Sequence, residues 1–333
     1  MTDLLKTLII GGGSIGERHL RCFQQTGRTD VQLCEINDDL RTTLRDRYQL
    51  EHVFPDLKTA LKEQPDLAVI CTPAHLHIPM AIQLAEQGID LLIEKPVSTS
   101  LEKIESLTEL IEAKSLIAGV AYVHRSNPLL GKMRDAILDN RFGKPVQINC
   151  VSGQHFPHYR PAYREIYYTR HETGGGAIQD ALTHLINLGE WIIGPVTKLV
   201  ADADHNVLEG VDVEDSVNVI ARHDQIMASY TLNQHQAVNE MVVTVICERG
   251  TIRFEGHHGR WSFITKPETD WQIGDEATLE RDTLFLNQAN AFLNSVRNRT
   301  PFACTLNDGV QTLRAALAIL DSVSSQKWKT ISP

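Results

Sequence analysis

Short apolar runs separated by segments of helical spacing fill the first part of the chain. Each run is bounded by turn residues, and strands are predicted at 6–10, 31–34, 67–71, 89–93 and 116–121. The tetrapeptide TSLE at 99–102 has the pattern of a capping box before a helix that extends to about residue 113. Regular alternation of strands and helices predicts a doubly wound parallel sheet.

The hydrophobic pattern changes after residue 122. Strands in which apolar and polar residues alternate are predicted at 144–151, 196–207, 214–222, 226–236, 240–248 and 250–255. Such alternation is typical of an antiparallel sheet with one face packed on helices, here predicted at about 284–298 and 307–324. We therefore predict an α/β chain with two domains, 1–122 with the parallel sheet and 123–333 with a large, mostly antiparallel open sheet.

A glycine-rich turn, GGGSIG, joins the first strand to the first helix. Gly11 would permit the tight turn, Gly13 would let a pyrophosphate approach the backbone, and Gly16 would allow the helix to pack on the strand. Ser14 and Ile15 stand at the helix N-terminus, which supplies N–H groups and a positive dipole to phosphates. The turn predicts a dinucleotide site, while a glycine-rich turn without a ligand stays open on this motif alone.

Glu35 ends the second predicted strand, roughly 20 residues after the glycine turn. An acidic residue at that place accepts hydrogen bonds from ribose hydroxyls and repels a 2′-phosphate. The next basic residue is Arg41. NAD is therefore predicted as the cofactor and NADP is disfavoured, with a solvated Glu35 or a phosphate bound by Arg41 as the alternatives.

Glu94, Lys95 and Pro96 follow the apolar run 89–93. Ligands of open α/β sheets bind at the C-terminal edge of the strands, where this charged pair is expected to lie. Pro96 disfavours helical backbone at Lys95, so the lysine is held at the turn. Thr72 ends another strand at the same edge, which would put Lys95 near the nicotinamide end of a dinucleotide. A solvated loop lysine is the alternative.

A helix predicted from about residue 177 carries Asp180 and His184 four residues apart, on one face. Asp180 could orient or charge His184, and a structural contact on the helix surface is the alternative. The preceding segment, GQHFPHYRPAYREIYYTRH, suits a hydroxyl-rich or anionic small molecule because it is rich in Arg, Tyr and His. An ordered surface loop or a subunit contact is equally compatible with it. Its candidate substrate-binding residues are Tyr159, Arg160, Tyr163 and Arg164.

Composition narrows the functional class. The net charge of −10 gives no basic footprint, so nucleic acid is not expected as a partner. No apolar run approaches the roughly 18 residues of a membrane span. The N-terminus lacks the features of a secretory signal, and six dispersed cysteines have the character of reduced core residues, so a cytoplasmic location is expected. His75 and His77 lack a third ligand at a known spacing, and no metal site is predicted.

Four motifs in this order resemble the Gfo/Idh/MocA family of NAD(P)-dependent oxidoreductases, named for glucose-fructose oxidoreductase and inositol dehydrogenase. They are GGGSIG, PDLAVICTPAHLH, LLIEKP, and GGGAIQDALTHLINL with its D-x-x-x-H spacing. The resemblance covers essentially the whole chain. It implies an N-terminal NAD(P)-binding Rossmann domain and a C-terminal substrate-binding domain, whose open sheet makes homodimer or homotetramer contacts.

The resemblance also implies site residues. Lys95 corresponds to the active-site lysine, and Asp180 and His184 correspond to the pair that binds substrate and transfers the proton. Residues expected at the cofactor are Thr72, Pro73, His77, Glu94, Lys95, Pro96 and Arg125.

The leading hypothesis is reversible hydride transfer between NAD and a secondary alcohol or ketone carbon of a sugar, cyclitol or sugar acid. His184 would act as general base, Asp180 would stabilise the imidazolium, and Lys95 would polarise the oxygen. A glycosidase, anhydro-sugar or isomerase-type enzyme could instead oxidise its substrate transiently, with no net redox change. A non-catalytic dinucleotide-sensing regulator is the third hypothesis.

Overall fold

The apolar runs of the first third form one parallel sheet in the computed structural model, which describes residues 4–332. Its strands are β1 (Leu5–Ile10), β2 (Thr29–Cys34), β3 (Val53–Phe54), β4 (Leu67–Ile70), β5 (Asp90–Ile93) and β6 (Ala118–Val120). They lie in the order β3-β2-β1-β4-β5-β6, and each adjacent pair is parallel. The order switches direction between β1 and β4, which is where such sheets bind ligands. The predicted doubly wound sheet is confirmed.

The helices of the described residues alternate with these strands and then flank the later ones. They are α1 (Ser14–Gln25), α2 (Asp38–Tyr48), α3 (Leu57–Ala60), α4 (His77–Glu86), α5 (Ile104–Ala113), α6 (Pro128–Leu138), α7 (Phe156–Tyr159), α8 (Thr183–Ile193), α9 (Thr283–Asn298) and α10 (Leu306–Ser325). Within residues 4–332, none of them combines the length and the apolar character that crossing a bilayer requires.

The start of α5 differs from the prediction of a capping box at 99–102. The helix begins at Ile104, and Lys103 occupies the N-cap position in the left-handed region, with φ of 59°. The Ser98 and Ser100 hydroxyls accept hydrogen bonds from the N–H groups two residues further along the chain, each at 3.3 Å. These local turns compete with helical backbone, so the helix starts later than the TSLE pattern predicted.

A second sheet contains β7 (Pro145–Gly153), β8 (Lys198–Asp204), β9 (Ser216–His223), β10 (Ile226–Asn233), β11 (Glu240–Cys247), β12 (Gly250–Glu255), β13 (Arg260–Ile264), β14 (Gln272–Glu276) and β15 (Lys329–Thr330). Its order is β14-β13-β12-β11-β7-β10-β9-β8-β15. The pair β7 and β10 is parallel, and the other pairs are antiparallel. The predicted large, mostly antiparallel sheet is confirmed, although β13, β14 and β15 were not predicted.

One face of this second sheet is buried, as its alternating pattern predicted. Inward side chains from five central strands join the core of buried residues that includes α8, among them Ile148, Cys150, Val217, Val219, Tyr230, Val243, Val245 and Ile252. The opposite face exposes Val151, Ile220 and Met227. Polar pairs lie beside them, and the Ser229 hydroxyl donates to the Asn149 side chain at 2.8 Å.

Two compact units divide the chain. One comprises Met1–Ser126 and Glu280–Val310, and the other comprises Asn127–Leu279 and Gln311–Pro333. Asp282 belongs to the first unit, where it pairs with Arg21 of α1 at 2.7 Å. The compact units are thus discontinuous in sequence, and the boundary of the functional domains at residue 122 stays a prediction.

Candidate active site

The glycine turn between β1 and α1 has the geometry that a pyrophosphate site requires. Gly11 has φ of +92°, and a Cβ there would lie 3.0 Å from the Cys71 carbonyl oxygen. A Cβ at Gly16 would lie 1.8 Å from the Gly11 oxygen, so glycine is needed for α1 to pack on the turn. Gly13 instead has open space where its Cβ would stand. The turn leaves a cradle that admits a phosphate close to the backbone.

The first turn of α1 supplies donors to this cradle. Ser14 and Ile15 are its first residues, and the N-cap residue Gly13 offers no side-chain acceptor to their N–H groups. Backbone N–H groups at a helix N-terminus, together with the helix dipole, bind anions. The turn and helix therefore fit the pyrophosphate of a dinucleotide.

Glu35 follows the last residue of β2, as predicted, and it is buried. Its two carboxylate oxygens accept backbone hydrogen bonds, one from Gly12 at 2.6 Å and the other from Asn37 at 2.8 Å. Each oxygen keeps a second lone pair for a ribose hydroxyl. Arg41 donates to the Glu35 carbonyl oxygen at 2.8 Å and also pairs with Asp38. Those contacts hold Arg41 at α2, which argues against the alternative of a phosphate bound by Arg41.

Glu94 is buried at the end of β5 and links Lys95 to the glycine-turn helix. One carboxylate oxygen lies 2.8 Å from His19 Nε2 on α1, and the other accepts the Lys95 N–H at 2.9 Å. Burial alone would raise the pKa of Glu94, but the hydrogen bond with His19 and the charge of Lys95 outweigh it and hold that pKa below its ordinary value. An ionised Glu94 therefore fixes the Lys95 backbone.

His77 is buried at the start of α4 and connects two strand ends. Its Nδ1 lies 3.0 Å from the Pro96 carbonyl oxygen, and its Nε2 lies 2.7 Å from the Thr72 carbonyl oxygen. Burial lowers the pKa of His77, although the hydrogen bonds to the two carbonyl oxygens act against it. The Lys95–Pro96 peptide bond is cis, and Pro73 lies exposed beside Thr72. A direct contact of these residues with cofactor stays a prediction.

Arg125 lies in a short 3-10 turn, Val123–Ser126, with its side chain mostly buried. The guanidinium donates to the Ala303 carbonyl oxygen at 2.8 Å and lies 3.3 Å from the Asp308 carboxylate. These contacts balance the positive charge of the Arg125 guanidinium with groups of the first unit. The predicted role of Arg125 at the cofactor stays a prediction.

Asp180 and His184 lie on either side of a change in helix type. Asp180 belongs to a π-helical turn, Ile178–Leu182, and His184 is the second residue of α8. The prediction of one regular helix from about residue 177 missed this turn, a feature that is frequent at functional sites. Four residues are about one turn in either helix type, so the two half-buried side chains leave the helix on the same side.

Glu214 fixes the start of this helix, and the sequence analysis did not identify it. Its side chain accepts the Ile178 N–H at 2.8 Å, and its carbonyl oxygen accepts the Ala177 N–H at 2.9 Å. Its other carboxylate oxygen lies 2.5 Å from His171 Nε2. A Cβ at Gly176 would lie 2.5 Å from the carboxylate. The run of three glycines was the signal for such a close approach.

The segment rich in Arg, Tyr and His contains a small core of its own. Tyr163 is 1% exposed, and its hydroxyl donates to the Glu209 carbonyl oxygen at 2.7 Å. Arg164 stacks on the Tyr163 ring at 5.2 Å and donates to the same carbonyl at 2.8 Å. Tyr163 therefore has a structural place in the core, and its contact with substrate stays a prediction. The cluster consists of Phe156, Tyr163, Tyr168, Leu208, Val211 and Val213.

Other residues of the segment are exposed. Tyr159 and Arg160 lie at its surface, where a substrate contact stays a prediction. Tyr167, which the sequence analysis did not single out, donates its hydroxyl to Asp180 Oδ1 at 2.8 Å. The structure thus adds Tyr167 to the candidate site through its contact with Asp180.

A group with metal-ligand chemistry lies at the turn after β12. The ligand atoms of Glu255, His257 and His258 all lie within 4.8 Å of one another. The expectation of no metal site rested on His75 and His77 and did not consider this group. Arg260 lies 2.9 Å from the Glu255 carboxylate and balances its negative charge. We therefore assign no metal ion to this group.

Family comparison agrees with the geometry of the glycine turn. Residues 5–122 match the oxidoreductase family with an NAD-binding Rossmann fold, GFO_IDH_MocA, and residues 130–253 match the GFO/IDH/MocA C-terminal domain. The chain belongs to the Gfo/Idh/MocA family. The resemblance drawn from the four motifs is confirmed.

Individual relatives span the same length as this family member. The uncharacterized oxidoreductase YrbE of Bacillus subtilis is 24% identical, with 97% of this chain and 96% of YrbE aligned. The myo-inositol 2-dehydrogenase of Thermotoga maritima is 21% identical, with 96% of each chain aligned. A solved structure of levoglucosan dehydrogenase with NADH and levoglucosan has a TM-score of 0.90 at 18% identity, and covers 99% of this chain and 100% of its own.

These findings establish the general class. This Gfo/Idh/MocA protein is an oxidoreductase with an NAD-binding Rossmann domain. The predicted cofactor NAD is confirmed, and the glycine turn with Glu35 is the part of the chain that fits it. The hypothesis of a non-catalytic regulator is set aside.

Proposed function

We propose that this protein transfers a hydride between NAD and a secondary alcohol or ketone carbon of a sugar, cyclitol or sugar acid. Two relatives, a myo-inositol 2-dehydrogenase and a levoglucosan dehydrogenase, support this substrate class. NAD supplies the hydride acceptor when bound, and the protein supplies orientation and proton transfer.

Three side chains carry the proposed chemistry. His184 takes the hydroxyl proton as the alcohol is oxidised, and Asp180 orients the ring and stabilises its charged form. Lys95 donates a hydrogen bond to the substrate oxygen and stabilises the negative charge that develops there. The reverse direction returns the proton from His184 to the ketone oxygen.

The buried Glu94 side chain is the observation that carries this proposal. It accepts the Lys95 N–H at 2.9 Å and lies 2.8 Å from His19 on the helix of the glycine turn. Lys95 is therefore held at the C-terminal edge of the parallel sheet by a group that also contacts the cofactor-binding helix. Ligands of such sheets bind at this edge, which supports Lys95 as the cationic donor of the proposed chemistry.

A turnover screen tests the substrate class. The purified protein is incubated with NAD and a panel of inositols, anhydro-sugars, sugars and sugar acids, and both NADH and products are measured. We expect NADH to accumulate in proportion to oxidised product with at least one member. Product formation with catalytic NAD and no NADH would instead indicate transient oxidation.

Substitution of Lys95 tests the assignment of roles. Lys95→Met should retain NAD affinity and lose about 100-fold or more in kcat, because a donor to the developing charge is removed. Lys58→Met, at an exposed lysine of α3, is the matched control. Normal turnover by Lys95→Met would contradict the proposed role.

We further propose that the exposed face of the second sheet forms a contact between copies of this chain. Val151, Ile220 and Met227 stand on adjacent strands of that face and are exposed. Ile220→Lys should lower the molar mass measured by light scattering, since a charge would be buried at the contact. Val207→Lys, at an exposed valine outside the sheet, should leave the mass unchanged. An unchanged mass for Ile220→Lys would overturn this proposal.

A further inference from the structure

Two adjacent tyrosines of the second unit have opposite environments. Tyr168 is fully buried, its ring lies 4.6 Å from that of Phe156, and its hydroxyl donates to the Gln234 side chain. Tyr167 is 41% exposed. Both belong to the short 3-10 turn Tyr167–Thr169. The buried neighbour anchors this turn, so the direction of the Tyr167 side chain follows from the backbone.

A second contact holds the Tyr167 backbone. The Thr173 hydroxyl donates to the Tyr167 carbonyl oxygen at 2.6 Å. The Tyr167 backbone is therefore held by the aromatic cluster through Tyr168 and by Thr173. An exposed tyrosine with a fixed backbone places its hydroxyl in one region and loses little conformational freedom there.

The fixed hydroxyl meets the π-helical turn. Tyr167 Oη donates to Asp180 Oδ1 at 2.8 Å. A hydroxyl that donates to a carboxylate forms a charge-assisted hydrogen bond, which favours the ionised carboxylate and restricts its rotation. Asp180 is the residue proposed above to orient His184, so whatever fixes Asp180 acts on proton transfer as well.

We propose that Tyr167 is a positioning residue of the active site, whose hydroxyl keeps the Asp180 carboxylate ionised and oriented toward its role at His184. The inference rests on the proposed function, because it assigns Tyr167 no chemistry apart from Asp180. It adds to that function a residue from an irregular segment. Removal of the Tyr167 hydroxyl should change the rate of the reaction and leave NAD binding unchanged.

The first test uses Tyr167→Phe, which removes only the hydroxyl. Hydrogen bonds to charged groups contribute about 1.5–3 kcal/mol, so kcat on the polyol found in the screen should fall about tenfold to a hundredfold. The KM for NAD should stay unchanged, and the acidic limb of the kcat profile should move to higher pH. Tyr48→Phe is the matched control, because the Tyr48 hydroxyl also donates to a carboxylate, that of Glu17, at 2.8 Å.

A double-mutant cycle separates action through Asp180 from a general structural effect. In an Asp180→Asn background, Tyr167→Phe should lower kcat further by less than about twofold, because the effects of substitutions within one network are not additive. An equal loss in both backgrounds would overturn the inference. Full activity of Asp180→Asn would overturn the proposed function, while impaired Asp180→Asn with normal Tyr167→Phe would overturn only the role of Tyr167.

A measurement without substrate completes the test. The carboxyl carbon of Asp180, followed by NMR in the NAD-bound protein, should titrate at higher pH in Tyr167→Phe than in the wild type. Tyr48→Phe should leave that titration unchanged. An identical titration in Tyr167→Phe would contradict the proposal, even if no member of the substrate panel reacted.

Discussion

The glycine turn and the segment 154–177 both carry candidate chemistry, but different forces hold them in place. In the glycine turn, only three residues separate Ile10 of β1 from Ser14 of α1. The segment 154–177 joins β7 to the π-helical turn through short helical pieces, and is held by side chains such as Tyr168 and His171. A short connection is determined by its two regular ends, whereas a long one is determined by contacts distant in sequence.

The largest expected effect comes from the buried pair of His19 and Glu94, which joins the helix of the glycine turn to the end of β5. His19→Ala leaves Glu94 buried without its imidazole partner, which costs about 3–5 kcal/mol of folding free energy. Denaturant titration of the protein without NAD measures this loss. His75→Ala, at an exposed histidine, should change it little. Equal stability of the two variants would show that the buried pair does not hold the first region.

A second pair of variants separates packing from ligand access within the glycine turn. Gly16→Ala puts a Cβ 1.8 Å from the Gly11 oxygen and should cost about 1–3 kcal/mol through the backbone shift it forces. Gly13→Ala meets no atom within 4 Å, so the protein should remain stable and lose NAD affinity because a methyl group fills the cradle. Thermal unfolding and NAD titration measure the two effects. Loss of stability in Gly13→Ala would break the distinction.

The third prediction concerns the second region, where core and surface residues alternate irregularly. Tyr163→Phe loses the hydrogen bond to the Glu209 carbonyl and should lower stability by about 1 kcal/mol, with an unchanged KM for the polyol. Arg160→Ala, at an exposed position, should leave stability unchanged and raise the KM for the polyol, as expected of a residue that binds substrate. Denaturant titration measures the stability of the two variants, and steady-state kinetics measures their KM for the polyol. A raised KM with normal stability in Tyr163→Phe would instead support its predicted contact with substrate.

The same contrast explains what the sequence could predict. Gly11, Gly16 and Glu35 were found because a strand end or helix start leaves few choices of residue at each place. Tyr163 was expected to bind substrate although it is buried, and Tyr167 was not singled out, since a segment without helical or strand periodicity does not indicate which side chain is buried. The buried Glu94 and His19 contact joins residues 75 apart, and only the fold brings them together.

The smallest expected effect depends on pH and tests the hydrogen bond that holds the second region. The hydrogen bond with Glu214 raises the pKa of His171, although partial burial acts against it. Because the folded pKa lies above the unfolded one, this stabilisation is fully present below the unfolded pKa near about 6.5 and is lost as pH rises through the folded value. His171→Gln should therefore lower the thermal midpoint by about 1–3 °C at pH 5.5 and by less at pH 9. The effect is small because the His171 side chain is 43% exposed and solvent screens its charge. His158→Gln, at an exposed histidine of the same segment, should show no such dependence. A His171→Gln difference that is the same at both pH values would mean that the charge of His171 does not hold the segment in place.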